Sequence, residues 1–462
     1  LNYDYKGIYL LEGLFRRDGS SKFYKDNRWA NFLGVSGGIR LSEYAFLKDK
    51  GIFDNLKIRA SYGEAGSQTG IGDYDYISTI KQGNTILGYN GQKVSTAWVD
   101  GMSSKNRTWE RVSTLNFGLD FAVLDNRLSG TFEYYVRKNN DMLISVTYPA
   151  TLGASAPKTN DGGFRANGWE LNLQWQDRIG KDFQYNVGFS LADARTKVTN
   201  YNGAAVHGVG VNNKVGGSAW QEGKPLNAIY VYKTNGYLQN DAEVKAYYKE
   251  ITQKEGGIHP VEGSENQLIP GCVRRVDVNQ DGRITTDDLV YYGDANPHYE
   301  FGINLGAKYK GFDFSMFLQG VGQMYVLREG WLGSPFNAIY TNQNVTFWGN
   351  TWTPENTNAR YPIMCGWKGG ARNTWNYKDY NDINVVNSWY VRAKNICLGY
   401  TLPKSLLSKA GVENLRVYVS ADNVFEFSNV KDGFDPESKA ATNSGNMDVF
   451  ARTLSFGIDL TF

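Results

Sequence analysis

The densest run of oxygen-bearing side chains in the 462-residue chain is Asp277–Asp288, which reads DVNQDGRITTDD. Oxygen ligands at loop positions one, three and five, a glycine at six, a backbone carbonyl at seven and an acid at twelve form the spacing of a calcium loop. The candidate ligands here are the side chains of four residues and one carbonyl, namely Asp277, Asn279, Asp281, Asp288 and the carbonyl of Arg283. The spacing therefore predicts a Ca²⁺ site.

Three interpretations of this loop stay open. A bound Ca²⁺ would have a structural role, because it would cross-link acids that otherwise repel each other and so fix a long loop. The second is a site that takes Mg²⁺ or is mostly empty, and the third is an Asx-rich turn without metal. Asp288 stands where EF-hands use a longer, bidentate Glu, which makes the loop closer to a dockerin-type site.

Outside this loop, the residue types that support metal binding or catalysis are scattered. The histidines and cysteines match no zinc, redox or triad spacing. They are His207, His259, His298, Cys272, Cys365 and Cys397. At most one pair of cysteines could form a disulfide, and inert thiols are the simplest interpretation. We therefore expect that the chain is not an enzyme, although the paired acids of glycosidases have no fixed spacing in sequence.

Two glycine-rich segments, Asn160–Gly163 and Gly208–Asn213, lack the strand-then-helix context of a phosphate-binding loop, and we predict them to be loop tips. Tryptophans are also frequent in the predicted connections. These are Trp98, Trp220, Trp331, Trp348, Trp352, Trp367 and Trp375. They favour either loop packing and an interfacial girdle, or a surface on which sugars or peptides stack.

The elements that must position these residues follow from alternating polar and apolar residues, the pattern of strands with one polar and one apolar face. We predict twelve strands, at Tyr5–Arg17, Trp29–Ser42, Leu56–Gly63, Trp109–Val123, Arg127–Leu143, Asn167–Arg178, Phe183–Lys197, Tyr299–Tyr309, Gly311–Val326, Ser388–Thr401, Leu415–Phe427 and Arg452–Phe462. The last run has about the length that a tilted strand needs to cross a bilayer. A β-sandwich would alternate too, but usually with shorter strands.

Short and long connections alternate along the chain, as in outer-membrane barrels, which have short periplasmic turns and long external loops. The long connections are predicted at Glu64–Thr108, Ser145–Ala166, Val198–His298, Arg328–Asn387 and Ser428–Ala451. If the C-terminus is periplasmic, every long connection is extracellular. Residues 198–298 then form one large excursion that contains the calcium-type loop at 277–288. The strand-like piece Ala228–Tyr237 would lie in that loop or pair with another strand there.

Composition is compatible with this interpretation. Charged residues make up 21% of the chain and nearly balance, with a formal net charge of +2, which gives no reason to invoke nucleic acid as a partner. No apolar run is long enough for a transmembrane helix. The mean hydropathy of −0.47 is as typical of alternating barrel strands as of a soluble protein.

Eight segments together resemble the SusC/RagA family of TonB-dependent outer-membrane transporters. They are Phe15–Phe23, Leu56–Tyr74, Trp109–Leu143, Asn167–Trp175, Ile269–Gly320, Trp389–Leu407, Leu415–Phe425 and Asp432–Ser438. Their order and spacing are specific, and they span nearly the whole chain. The resemblance implies an all-β fold, with residues 1–462 as the C-terminal part of a transmembrane antiparallel β-barrel of roughly 22 strands. A plug domain and a TonB-contacting segment would precede this sequence.

The resemblance also implies a function, namely TonB-dependent active import of nutrients such as oligosaccharides or peptides across the bacterial outer membrane. The implied partners are a SusD-like surface lipoprotein, the TonB–ExbB–ExbD complex acting through the N-terminal region, outer-membrane lipid and the substrate. A dimer of transporter–lipoprotein pairs is compatible with it. No residue pattern in the long connections identifies the substrate.

Two other functions stay open at this stage. One is a passive porin or receptor barrel without TonB coupling, and the other is a secreted glycan-binding or glycan-cleaving β-protein with a dockerin-like loop. In a barrel, the apolar strand faces would meet lipid. The polar faces, such as those of Asn116 and Asp120 or of Asp313 and Ser315, would face the lumen or plug.

Overall fold

The computed structural model describes residues 1–89, 92–99, 101–144, 151, 157–201, 210–211, 220–336, 344–366, 370–407, 411–431, 435–437 and 451–462. Most of the regular structure is strand. The first twelve strands are β1 (Asn2–Tyr5), β2 (Tyr9–Gly19), β3 (Trp29–Arg40), β4 (Phe53–Ser67), β5 (Ile80–Tyr89), β6 (Gln92–Val99), β7 (Glu110–Val123), β8 (Leu128–Ile144), β9 (Thr159–Ile179), β10 (Phe183–Tyr201), β11 (Gly210–Val211) and β12 (Ala228–Tyr232).

The later strands are β13 (Thr234–Tyr237), β14 (Val273–Arg275), β15 (Leu289–Asp294), β16 (His298–Tyr309), β17 (Phe312–Gln323), β18 (Tyr325–Leu327), β19 (Val385–Asn387), β20 (Tyr390–Thr401), β21 (Asn414–Asp422), β22 (Glu426–Ser428) and β23 (Thr453–Thr461). The α-helices are α1 (Ala45–Lys48), α2 (Asp241–Ile251), α3 (Gly330–Gly333), α4 (Gly370–Asn373) and α5 (Lys404–Leu407). Among the described residues, no helix is long and apolar enough to span a membrane. The predicted all-β class is confirmed.

The chain divides into two compact units. Unit 1 consists of Leu1–Asn172, Ala194–Ala205 and Trp220–Pro225, and unit 2 consists of Leu173–Asp193, Val206–Ala219 and Leu226–Phe462. The long strands β9 and β10 contribute residues to both units.

Unit 1 contains a sheet whose strands follow one another in the order β1-β2-β3-β4-β7-β8-β9. The pairs from β1 to β8 are antiparallel. Their register aligns like with like, since Ile58 lies opposite Leu119 and Leu119 opposite Phe132. One face of this sheet is therefore apolar and the other is polar, because side chains alternate along each strand.

Unit 2 contains the strand order β10-β16-β17-β20-β21-β23, with β22 also paired to β20. These pairs are antiparallel as well. The apolar residues again fall into rows, because Leu398 lies opposite Val419 and Val419 opposite Phe456. The connection from β16 to β17 is a two-residue turn at Lys310 and Gly311, whose φ angles of 46° and 91° suit a tight antiparallel hairpin.

The long connection between β10 and β16 has its own folded core within unit 2. The strand β12 pairs with β15, and β13 pairs with β14, so Ala228–Tyr237 pairs inside the connection. Helix α2 begins after Asn240, whose side-chain oxygen accepts a hydrogen bond from the Glu243 N–H. Its apolar side chains enter a core cluster that also includes Trp375 from the next long connection.

Several predicted boundaries are wrong. The predicted strand Tyr5–Arg17 is interrupted near its start, because the chain turns at Lys6 and Gly7, whose φ angles are 57° and 65°, and β2 begins only at Tyr9. Asn160–Gly163 is not a loop tip but lies in β9, which begins at Thr159 rather than at Asn167. Glycines and polar residues near the end of a long strand gave these residues a loop-like composition. The segment Gly208–Asn213 lies largely outside the described residues.

Two further predicted strands are divided in the structure. Leu415–Phe427 is split into β21 and β22 around Asn423, whose φ of 52° breaks the extended conformation. Gly311–Val326 is likewise interrupted at Met324. The long connection that we predicted at Glu64–Thr108 contains the β5–β6 hairpin.

Candidate functional site

The polar face of the unit 1 sheet carries a cluster of paired charges. The Arg59 guanidinium lies between two carboxylates, with its Nε 3.1 Å from Asp120 Oδ2 and its Nη2 hydrogen-bonded to Glu133. Glu133 also accepts a hydrogen bond of 2.6 Å from Asn116 Nδ2. The structure therefore brings together Asn116 and Asp120, which we predicted on this face, with a cation and a second acid on neighbouring strands.

A glycine makes room for this cluster. Gly118 lies opposite both Arg59 and Glu133 in the sheet. A Cβ atom at Gly118 would lie 2.5 Å from Arg59 Cζ, which is closer than real contacts allow. Gly118 thus leaves open the space that the Arg59 side chain crosses to reach Glu133 on the next strand.

An open groove of about 510 Å³ lies on the same polar face. Its charged and amide side chains include Asp4, Glu12, Lys57, Arg59 and Asn116. Both signs of charge are represented, so the groove offers hydrogen-bond donors and acceptors to a polar partner and selects no net charge.

Unit 2 repeats this arrangement with different residues. Arg416 donates two hydrogen bonds to Asp313, of 2.9 and 2.7 Å, and its Nη1 lies 3.0 Å from Asp459. Gly399 leaves the necessary space, since a Cβ there would lie 2.6 Å from both Arg416 and Asp313. The predicted polar-face residue Asp313 is therefore part of a charge cluster, and Ser315 lies beside Cys397 on the same face.

The opposite faces of both sheets expose apolar side chains. In unit 2, Leu454, Phe456 and Ile458 are 62%, 76% and 69% exposed. In unit 1, Leu33 and Phe117 are 56% and 50% exposed. Soluble proteins rarely leave such contiguous apolar surface in water, whereas barrel strands turn this face to lipid.

The predicted calcium loop forms a closed turn in unit 2. Asp277 accepts hydrogen bonds from the backbone N–H groups of Asp281 at 3.2 Å and Gly282 at 2.7 Å. Asp288 accepts from the N–H groups of Val278 and Thr285, both at 2.8 Å, and so ties the end of the loop to its beginning. Gly282 has a φ of +81°, the left-handed conformation that the sharp turn requires.

The other ligand candidates of this loop make hydrogen bonds and ion pairs within the loop. Asn279 accepts a hydrogen bond from the Asp281 N–H, and Asp281 forms an ion pair of 2.9 Å with Arg283 Nε. That contact lowers the pKa of the Asp281 carboxyl, whereas burial raises the pKa of Asp288. Within the described residues, no group of three or more His, Cys, Asp or Glu side chains is arranged to hold a metal. The donors are oxygens, which suits Ca²⁺, and Ca²⁺ binding stays a prediction.

Sequence reasoning missed a buried Asp–His–Asp arrangement in unit 2. The Nδ1 of His298 lies 2.6 Å from Asp193 Oδ1, and its Nε2 lies 3.1 Å from Asp294 Oδ1. All three side chains are buried. With a carboxylate at each ring nitrogen, the doubly protonated imidazolium is the form that donates to both. The only sequence signal was the i, i+4 spacing of Asp294 and His298, since Asp193 lies on another strand.

Two buried arginines also escaped the sequence analysis. The Arg275 guanidinium is sandwiched between the rings of Tyr232 and Trp375, 4.1 and 3.9 Å from their centroids, and is fully buried. Arg392 is ion-paired to three acids, Glu426, Asp435 and Glu437. Both arginines join segments far apart in sequence, so no local pattern could indicate them.

The predicted loop tryptophans divide by burial. Trp375 and Trp352 are core residues, 1% and 5% exposed, which favours loop packing. Trp348 and Trp98 are 85% and 50% exposed, so they are free to stack on a ligand. Trp367 lies outside the described residues.

The comparisons with known proteins agree with this geometry. No protein-family model matches the chain. Over its whole length the chain is 28% identical to the TonB-dependent receptor SusC of Bacteroides thetaiotaomicron and covers 43% of it. It is also 28% identical to the TonB-dependent receptor P3 of Formosa agariphila, of which it covers 45%. Over its whole length the chain is therefore similar in sequence to TonB-dependent receptors of the SusC type.

Solved structures have the same fold as this chain. The whole chain superposes on 47% of a chain in the RagAB peptide importer in its closed-closed state, with a TM-score of 0.75 and 22% identity. The open-open state gives the same TM-score at 23% identity. The chain spans slightly less than half the length of the relatives that it matches, and its sheets are part of a β-barrel.

Proposed function

We propose that this chain forms part of the barrel wall of a TonB-dependent importer in the bacterial outer membrane. The observation that carries the proposal is the two-faced sheet, which is apolar and exposed on one side and covered with paired charges on the other. The apolar face meets lipid and the polar face lines the lumen or contacts a plug. The SusC likeness supports this assignment.

We further propose that the complete protein acts with a SusD-like surface lipoprotein and with TonB–ExbB–ExbD, and that it imports oligosaccharides or peptides. The RagAB neighbour is described as a peptide importer, which supports a substrate of that size. The exposed Trp348 offers a ring on which such a substrate can stack. The folded long connections provide the surface on which a lipoprotein can close.

The decisive experiment measures uptake in the producing organism. Deletion of the complete gene should abolish growth on one class of oligosaccharide or peptide, and the intact gene should restore it. Uptake should stop when the proton-motive force is collapsed, because TonB-coupled transport needs it. Uptake that continues without energy would instead support the passive porin.

The secreted β-protein is the second alternative, and its prediction differs. A secreted protein would remain in solution without detergent, because its apolar residues would be covered. The exposed apolar face predicts that this protein is extracted only by detergent. Recovery of monomeric protein from the culture medium would overturn the barrel assignment.

We also propose that the Asp277–Asp288 loop binds Ca²⁺. The ligands would be the side chains of Asp277, Asn279, Asp281 and Asp288 and the carbonyl of Arg283, and the ion would hold the loop closed by neutralising its acids. Ca²⁺ titrated into the intact, detergent-purified protein should raise its unfolding temperature and release heat in calorimetry. Asp281→Asn should weaken both effects, whereas Asp241→Asn, at an exposed helix start, should leave them unchanged. Equal responses of the two variants would contradict the site.

A further inference from the structure

Two of the three cysteines lie together in the core of the long connections of unit 2. Cys272 and Cys365 are both buried, at 0% and 3% exposure. The Nδ2 of one buried amide, Asn376, lies 3.6 Å from Cys272 Sγ and 3.4 Å from Cys365 Sγ. Both side chains are free thiols in the structure. Their sulfur atoms therefore share one small polar site inside an apolar core.

The backbone already brings these cysteines together. The Ile363 N–H donates a hydrogen bond of 2.8 Å to the Gly271 carbonyl, so the two chain segments are in contact one and two residues before the cysteines. Gly271 permits this approach, because a Cβ there would lie 2.6 Å from Ile363 Cβ. A disulfide needs its two Cα atoms roughly 4.4–6.8 Å apart, a separation that adjoining segments provide.

The third cysteine stands apart. Cys397 lies on β20, half-buried on the polar face of the sheet, with Arg416 Nη2 3.6 Å from its sulfur. It faces Ser315 and Ser420 across the strands. Only one pair of cysteines is thus placed to react, and the third provides a control in the same chain.

We infer that Cys272 and Cys365 form a disulfide that joins the connection between β10 and β16 to the connection between β18 and β19. This inference rests on the proposed function in one respect, since the extracellular location of these connections exposes them to an oxidising compartment. Disulfides persist there and are rare in the cytosol.

The oxidant belongs to the class of protein disulfides that exchange with thiols. The thiolate of one of these two cysteines attacks this disulfide and releases one thiolate of the oxidant, which leaves a mixed disulfide on that cysteine. The thiolate of the other cysteine then attacks the sulfur of the first, forms the new S–S bond and releases the second thiolate of the oxidant. The chain loses two electrons and two protons, and the oxidant is reduced to a dithiol. Because both sulfurs are buried in the finished fold, the exchange takes place before this core closes.

The test counts free thiols in the complete protein purified from outer membranes. The protein is denatured in an alkylating reagent without reductant, and its peptides are then analysed by mass spectrometry. We expect alkylation of Cys397 alone, with the Cys272 and Cys365 peptides linked and lighter than the reduced pair by two hydrogen atoms. Prior reduction should make all three alkylate. Alkylation of all three cysteines without reduction would overturn the inference.

Variants keep the test specific. Cys365→Ser should free Cys272 for alkylation, whereas Cys397→Ser should leave the linked peptide intact. A reductant should lower the unfolding temperature of wild-type protein and of Cys397→Ser, but not of Cys272→Ser with Cys365→Ser. If the protein is found in outer membranes with three free thiols, the disulfide inference is wrong and the proposed function is unaffected. If it is absent from outer membranes, the proposed function fails, and the thiol count is then made on whatever fraction contains it.

Discussion

At the scale of residues, charge on the polar faces and at the loop bases is neutralised across strands rather than along them. Arg59 and Arg416 each contact one acid on the adjacent strand and one acid two strands away, and His298 lies between two carboxylates. Removal of one partner costs most free energy where the side chains are buried, as they are around His298. Each cluster therefore favours one register of strand pairing and also neutralises charge.

His298→Gln tests the buried Asp–His–Asp arrangement. Gln cannot reproduce both hydrogen bonds that His298 makes to the buried carboxylates of Asp193 and Asp294, so we expect a loss of about 1–3 kcal/mol in the free energy of unfolding. Thermal unfolding of the intact protein in detergent measures this loss. His259→Gln is the matched control, because that imidazole contacts Tyr248 edge-on and has no carboxylate partner among the described contacts. Equal losses in the two variants would contradict the charge-pair explanation.

The same arrangement predicts a pH dependence. Burial raises the pKa of Asp294, but hydrogen bonds from His298 and the Asn296 N–H outweigh burial and lower it overall. A carboxyl group whose pKa is lowered on folding contributes stability above its unfolded pKa of about 3.9 and loses it as pH falls through the folded value. Wild-type protein should therefore lose stability below about pH 4, and His298→Gln should lose less over that range. A steeper loss of stability at acid pH in His298→Gln than in wild type would contradict this explanation.

Gly118→Val tests the space that Arg59 needs. The new side chain would displace the guanidinium from Glu133 and Asp120, and we expect a cost of about 1–3 kcal/mol. Gly63→Val is the control on the partner strand, because a Cβ at Gly63 meets nothing within 4 Å. The unfolding temperature should fall for Gly118→Val and should stay close to that of wild type for Gly63→Val. A tolerated Gly118→Val would show that Arg59 has another place on this face.

At the scale of elements, alternation alone was enough to identify most strands of the two sheets. Strands such as β7 and β10 begin within one residue of their predicted starts, because both of their faces keep a regular period of two. The pattern failed where the chain turns within an apolar run, as at Lys6 and Gly7. The core beneath α2 was also beyond prediction, because it is built from segments such as Val273 and Trp375 that only tertiary folding brings together.

Two neighbouring residues of β23 test the assignment of faces. Phe456→Lys places a charge on the apolar face, where a lysine near the bilayer midplane costs about 2–4 kcal/mol. Ser455→Lys places the same charge on the polar face, where it should be tolerated. The amount of folded protein recovered from outer membranes, read from its gel mobility before and after boiling, should fall for Phe456→Lys only. A fall for Ser455→Lys only would show that the lipid-facing and polar faces are the reverse of those assigned.

At the scale of the whole molecule, the proposed topology can be tested on living cells. An epitope tag inserted at Glu255, in an exposed turn after α2, should be bound by antibody on intact cells. A tag at Asp125, in the exposed turn between β7 and β8, should be bound only after the outer membrane is opened. Both insertions lie at solvent-exposed turns, which tolerate added residues. Antibody binding to the Asp125 tag on intact cells would show that the orientation is the reverse of the proposed one.

The two-residue turn at Lys310 and Gly311 has a consequence for the order in which the barrel is assembled. It closes an eleven-pair ladder between β16 and β17 across the shortest possible loop, so little chain entropy is lost in forming it. The β10–β16 pairing instead has to wait until the long connection between these strands has been brought back to the sheet. We therefore expect the β16–β17 hairpin to enter the membrane as a preformed unit and to serve as the template on which its neighbours dock.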